Sequence, residues 1–257
     1  MKVMVLGGGS NQLDLIKKAK QHGDEIILID YLMDCPGKAY ADTHLLISTF
    51  DSKSVLKAAK KYSVDAIVTA GTDQPVLSAA IASQELGLNF YADKQLALAV
   101  TNKTVMKEMF SKNDIPTVKY RFLKEDFKDD EIADFNYPVV LKPVDCQGQR
   151  GVYKLNSIDE VRGKIASTLS YFREGHALIE EFYENDEITV NGWVNDGKMT
   201  IISVVDRVTI KRDSHIGICL CHNFPSVYLN EYYDDIENVT QKIISVFNIK
   251  NGPIYFQ

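Results

Sequence analysis

Between Pro138 and Pro143 the chain reads Pro-Val-Val-Leu-Lys-Pro, a run that leaves little freedom in local structure. Val139, Val140 and Leu141 read as a short apolar strand, and Pro143 biases Lys142 towards an extended backbone, so its ammonium projects from the strand end. Two residues later Cys146-Gln147-Gly148-Gln149-Arg150-Gly151-Val152 supplies flexible backbone N–H groups beside that charge. Two readings fit this segment. One is a cradle for the phosphates of a nucleotide, the other a surface hairpin with a lysine before proline and a Gly-x-x-Gly turn. Only the sequence downstream separates them.

With 257 residues, 45% of them hydrophobic, the chain can bury roughly three quarters of its unfolded surface and form about two domains. A net charge of -6, with no long Lys/Arg run, argues against nucleic acid or an anionic membrane as partner and favours small molecules. Met1-Lys2 leads straight into Val3-Met4-Val5-Leu6, too short for a signal-peptide core, and no window approaches a membrane span. A cytoplasmic location is expected. Cys35, Cys146, Cys219 and Cys221 are too scattered for a disulfide framework. Cys219-x-Cys221 reads as alternation on a strand, because no second Cys/His pair sits at zinc spacing.

The first ninety residues alternate strand and helix: strands over Lys2–Leu6, Glu25–Ile29, Leu45–Ile47 and Val64–Thr69, helices over Asn11–Gln21, Ser52–Lys61 and Gln74–Leu86. That order predicts a parallel α/β sheet with crossover helices. Gly7-Gly8-Gly9-Ser10-Asn11-Gln12 follows the first strand and Asp30 closes the second, imitating a dinucleotide-binding fingerprint. Gln12, however, occupies the third glycine position, where a bulky residue opposes close helix–strand packing. The turn therefore reads as a small-ligand or structural loop.

From Asp93 to Lys112 the pattern is helical, with Lys103 at the start of a helix over Thr104–Ser111. Lys124–Phe135 reads as a charged, exposed connector into the Lys142 strand. Ser157 is expected to cap a helix over Ile158–Phe172. Strands over Ala177–Glu181, Glu187–Val194 and Met199–Asp206 make this half antiparallel, and Glu231–Phe247 is a last helix before a strand opening at Gly252. In Glu180-Glu181-Phe182-Tyr183-Glu184-Asn185-Asp186-Glu187 a strand ends in two carboxylates, a linker carries two aromatics, and a carboxylate opens the next strand. Backbone C=O and N–H groups on such a linker can pair with the edge of adenine, and Glu187 can accept from two ribose hydroxyls.

Taken together, Lys103, Pro138–Pro143 with Lys142, Gly148–Gly151, and Glu180-Glu181-Phe182 with Glu187 resemble the ordered motifs of the ATP-grasp superfamily. The leading region looks like the domain that precedes the grasp in biotin carboxylase and carbamoyl phosphate synthetase. The resemblance implies an α/β chain: a Rossmann-like parallel-sheet domain over 1–93, then an incomplete two-lobed α+β ATP-grasp domain, with a small lobe over 94–183 and part of the C-terminal lobe over 184–257. It implies that Lys103 and Lys142 contact the α- and β-phosphates of ATP, and that Gln147, Gly148, Gln149, Arg150, Gly151 and Val152 fold over the triphosphate. Glu181 through its carbonyl and Tyr183 through its N–H would hold adenine beside Phe182, with Glu180 near and Glu187 on the ribose.

The reaction so implied is ATP-dependent ligation, in which a carboxylate becomes an acylphosphate that an amine then opens. Lys211 and Arg212, with His215, could meet an anionic substrate or stand as a solvated loop; Asn11 and Asp73 face the side on which relatives bind carboxylates. The family's Mg²⁺ ligands, a carboxylate and a later Glu-x-Asn pair, are expected beyond residue 257, which would leave this 257-residue form incomplete. The alternative is a non-catalytic adenine-nucleotide or metabolite-binding protein. The oligomeric state is left open by the sequence, although by analogy a homodimer through the leading domain would be unsurprising.

Overall fold

The computed structural model describes residues 1–144, 151–170, 175–212 and 215–257, without the side chains of residues 210–212 and 215–217. The chain divides into two compact units, Met1–Thr101 and Asn102–Gln257.

In the first unit β1 (Lys2–Leu6), α1 (Leu13–Gln21), β2 (Glu25–Ile29), β3 (Thr43–Leu45), α2 (Ser52–Tyr62), β4 (Ala66–Val68), α3 (Val76–Leu86) and α4 (Lys94–Thr101) follow in order. The strands form one parallel sheet in the order β3-β2-β1-β4. Its central strands are apolar at nearly every position because both faces are covered. Met4, Leu6, Ile27 and Ile29 pack with Val55 and Ala59 of α2 and Ala79 of α3, while Val3, Val5, Ile26 and Leu28 pack with Ile16 of α1. Asp51 caps α2 by accepting from the Ser54 N–H at 3.1 Å, and Gly87 ends α3 in the left-handed region.

The second unit opens with α5 (Lys103–Lys112), so the helical run from Asp93 is two helices divided at Asn102. The Asn102 side chain accepts from the N–H groups of Thr104 and Val105 at 2.9 and 3.2 Å, a cap that starts this helix one residue before the Thr104 expected from the sequence. Then come β5 (Tyr120–Leu123), β6 (Val139–Pro143), β7 (Tyr153–Leu155), α6 (Ile158–Ser170) and β8 (Ala177–Glu181). Ser157 accepts from the Glu160 N–H at 3.2 Å, as a cap for α6 requires. The four strands make an antiparallel sheet ordered β5-β8-β6-β7. One face, with Leu123, Val139, Leu141, Leu155 and Ile179, packs on Val161 and Ile165 of α6.

The connector over Lys124–Phe135 departs from expectation. Phe127, Ile132 and Phe135 are buried in that same core rather than exposed. The charged residues between them face water, so charge density concealed three anchors.

A second antiparallel sheet holds β9 (Glu187–Asn195), β10 (Lys198–Arg212), β11 (His215–Asn223) and, after α7 (Leu229–Val246), β12 (Gly252–Phe256), ordered β11-β10-β9-β12. The strand expected over Met199–Asp206 runs on to Arg212. Val190 and Val204 pack against Ile236 of α7. The fold is thus the expected mixture: a parallel sheet followed by two antiparallel ones.

Candidate functional site

Strand periodicity sorts the β5-β8-β6-β7 sheet into two faces. The face away from α6 carries Tyr120, Leu178, Glu180, Val140, Lys142 and Lys154, since Glu180 pairs with Tyr120 and Val140, and Val140 with Lys154. Lys142, the residue that the proline-bracketed strand singled out, reaches Glu180 directly. Lys107, one turn beyond Lys103 on α5, takes the other carboxylate oxygen at 2.5 Å. Glu180 is only 6% exposed. A buried lone carboxylate would take up a proton. Burial does push the Glu180 carboxyl up, but the charges of Lys142 and Lys107 and their hydrogen bonds outweigh it and hold the group below its usual range.

The backbone fixes this arrangement. The Lys103 N–H donates to the Val144 carbonyl at 3.3 Å, which brings the first turn of α5 to the end of β6 and thus Lys103 beside the strand of Lys142. Lys107 also donates to Thr117 Oγ1 at 2.5 Å and lies 5.5 Å from the centre of the Tyr120 ring.

The linker after β8 is pinned at both ends. The Glu181 carboxylate accepts from the Asn136 N–H at 2.8 Å and Nδ2 at 3.1 Å, and the Phe182 N–H donates to Pro138 O at 2.9 Å. Lys154 Nζ sits 3.6 Å above the Phe182 ring, a cation–π contact. Tyr183 is exposed. At the far end Tyr228 donates to Asp186 at 2.5 Å, and that bond raises the Tyr228 pKa above its ordinary value. Glu187 pairs with Arg207 across β9 and β10. A sheet face with lysines around one carboxylate, adjoining a linker of exposed residues and an aromatic plate, can hold a polyanion joined to a flat heterocycle.

Gln147, Gly148, Gln149 and Arg150 lie outside the described residues. Gly151, at φ +70°, and Val152 follow, and Gly151 O accepts from Thr168 Oγ1 at 3.1 Å. Lys211 and Arg212 belong to β10, opposite Ile216 and His215, with side chains outside the description. Cys219 and Cys221 lie exposed on β11, and no three His, Cys, Asp or Glu side chains gather into a metal site among the described residues.

In the first unit the glycine turn is closed by the chain itself. Asp30 accepts from Gly8 and Leu32 N–H at 2.7 and 2.8 Å, so the acid that would meet a ribose holds backbone instead. Gln12, 4% exposed, accepts from the Gly9 N–H at 3.1 Å and donates to Ala70 O at 2.5 Å. Gly7 has φ +98°, a conformation only glycine adopts readily. Asn11 donates to Gly71 O at 3.3 Å. Asp73 lies near Tyr91, whose hydroxyl is pushed up by burial and by that carboxylate.

Lys107, Lys154 and Arg207 went unnoticed in the sequence. The available signal for Lys107 was its spacing of one turn from Lys103, for Lys154 its place opposite Val140, and for Arg207 its register with Glu187.

Residues 135–257 match the ATP-grasp domain family. Phosphoribosylamine--glycine ligase of Pyrococcus furiosus is 28% identical over 210 residues, covering 78% of this chain and 47% of its own length. The chain thus spans about half the length of that relative. Among solved structures, an L-amino acid ligase from Bacillus licheniformis superposes with a TM-score of 0.78 at 16% identity, over 99% of this chain and 62% of that one. The ADP complex of an N5-carboxyaminoimidazole ribonucleotide synthetase gives 0.77 at 18%, over 99% and 65%. At these identities the structural likeness speaks for the fold.

Proposed function

We propose, from the match of residues 135–257 to the ATP-grasp domain family, that the chain supplies the nucleotide-gripping part of an ATP-dependent carboxylate–amine ligase. The observation that carries the reading is the contact of Lys142 with buried Glu180 on the α6-distal sheet face, next to the 181–187 linker.

In this reading Lys103 and Lys142 take the α- and β-phosphates, and the segment Gln147–Val152 lies over the triphosphate. The Glu181 carbonyl and Tyr183 N–H read the adenine edge, Phe182 lies along the base, and Glu187, steadied by Arg207, accepts from the ribose hydroxyls. A substrate carboxylate oxygen attacks the γ-phosphorus, the bond to the β-bridging oxygen breaks, and ADP leaves. The amine nitrogen of the second substrate then attacks the acyl carbon, and inorganic phosphate departs with the C–O bond electrons. The chain contributes charge neutralisation and positioning rather than a covalent nucleophile. Mg²⁺ belongs to the reading by resemblance, but no described cluster of this chain fits it; the neutralisation derived from these residues is that of lysine ammonium groups. Within the second unit Lys211 and Arg212 are proposed contacts for an anionic substrate; within the first, Asn11 and Asp73 are separately proposed as substrate contacts, Asn11 only by giving up its bond to Gly71.

Titration calorimetry with ATP, ADP and adenosine tests the grip. Binding of both nucleotides, weakened by Lys142→Ala, is expected; no adenine-nucleotide binding by the folded protein would overturn the proposal. ADP release across a panel of carboxylates and amines then reads the ligase activity itself.

A further inference from the structure

Lys107 has no part in the roles assigned above, yet it holds one oxygen of the carboxylate whose other oxygen Lys142 holds. Its side chain is 14% exposed, against 25% for Lys142, so it is the deeper of the two cations. A lysine is seldom buried without a partner, and Glu180 is the carboxylate that Lys107 meets there. The reverse dependence is the informative one. With Lys142 as its sole partner, Glu180 would form a neutral pair, and a phosphate could recruit the Lys142 ammonium only by breaking that pair. With one ammonium on each oxygen the cluster carries a net charge of about +1, and the Glu180 charge is shared.

We propose that Lys107 is a positioning residue for the phosphate side of the site: acting through Glu180, it leaves Lys142 fixed in place but only partly compensated, so that the ammonium accepts a phosphate oxygen without leaving its carboxylate. The proposal rests on the nucleotide-binding reading. It goes beyond it by naming a residue that touches no phosphate and by requiring that its effect grow with ligand charge.

The test is calorimetry at fixed ionic strength with ATP, ADP and adenosine on the wild-type chain, Lys107→Met, Lys107→Arg and the double variant Lys107→Met with Glu180→Gln. Lys107→Met should bind ATP about tenfold more weakly, ADP less affected and adenosine unchanged. Arginine at 107 should retain most of the affinity. Glu180→Gln added to Lys107→Met should recover ATP binding, because the unshared charge that ties down Lys142 is gone. If Lys107→Met does not fold, Lys107→Gln, able to keep the bond to Thr117, carries the same expectations. Equal weakening for all three ligands, or unchanged ATP binding, would overturn the role of Lys107 while leaving the nucleotide reading intact. Failure of the wild-type chain to bind any nucleotide would overturn the reading beneath it.

Discussion

Glu187 and Arg207 face each other across β9 and β10, carboxylate against guanidinium, where the linker after β8 enters the sheet. The pair fixes the direction of the carboxylate that the proposed function turns towards the ribose. Glu187→Gln should therefore lower ATP affinity about tenfold and narrow the preference for ATP over 2′-deoxyATP, since a neutral amide accepts more weakly. Competition between the two nucleotides reads this directly; an unchanged preference would remove Glu187 from the ribose.

Lys142→Ala should weaken ATP and ADP by about ten- to a hundredfold and leave adenosine unaffected, as loss of one charged contact to phosphate implies. Parallel calorimetric titrations check it. Equal losses for adenosine would mean that the substitution disturbs β6 rather than a phosphate contact.

The Glu180 carboxyl is held below its ordinary pKa in the folded chain, chiefly against the upward push of burial, by Lys142 and Lys107. A carboxyl so depressed contributes stability that is complete above its unfolded value of about 4.3. That contribution disappears as pH falls from there through the lower folded value. Urea midpoints of the wild-type chain and Glu180→Gln should therefore differ by a constant amount near neutrality and converge in acid. A gap that ignores pH would show that the lysines do not stabilise the ionised form.

Phe135→Ala should cost about 3–5 kcal/mol of stability, as for other buried phenylalanines, because Phe135 is buried in the core beneath the β5-β8-β6-β7 sheet. Glu125→Ala, exposed on the same connector, should stay within about 0.5 kcal/mol. Chemical denaturation of the two variants separates an anchored connector from a solvated one.

Loss of the α5 cap in Asn102→Ala should cost about 1 kcal/mol. Because Lys103 and Lys107 ride on the first turns of that helix, nucleotide affinity should fall with it. Arg or Lys content elsewhere is unchanged, so a fall in affinity without a fall in melting temperature would contradict this account.

What the sequence disclosed follows from how local each signal is. Lys142 was legible because prolines on both sides bound its strand, and Glu180 because it closes an apolar run. The parallel sheet was legible because β1 and β2 are apolar on both faces. Lys107 was not, since a lysine on an amphipathic helix looks solvated until Glu180, remote in sequence, is folded against it. β5 escaped notice for a related reason: it is an edge strand whose Arg121 lies over Phe135 and pairs with Asp134, so its alternation of polar and apolar residues is blurred. The buried phenylalanines of the connector were masked by their charged neighbours, whose period matches neither strand nor helix.

Gln12 ties the loop after β1 to the loop after β4 through Gly9 and Ala70. An amide from the chain thus occupies the crossing at which a doubly wound sheet ordinarily receives a guest. Any ligand entering at the strand ends would have to displace that amide and replace its bonds to Gly9, Ala70 and Thr72, or be small enough to settle beside it.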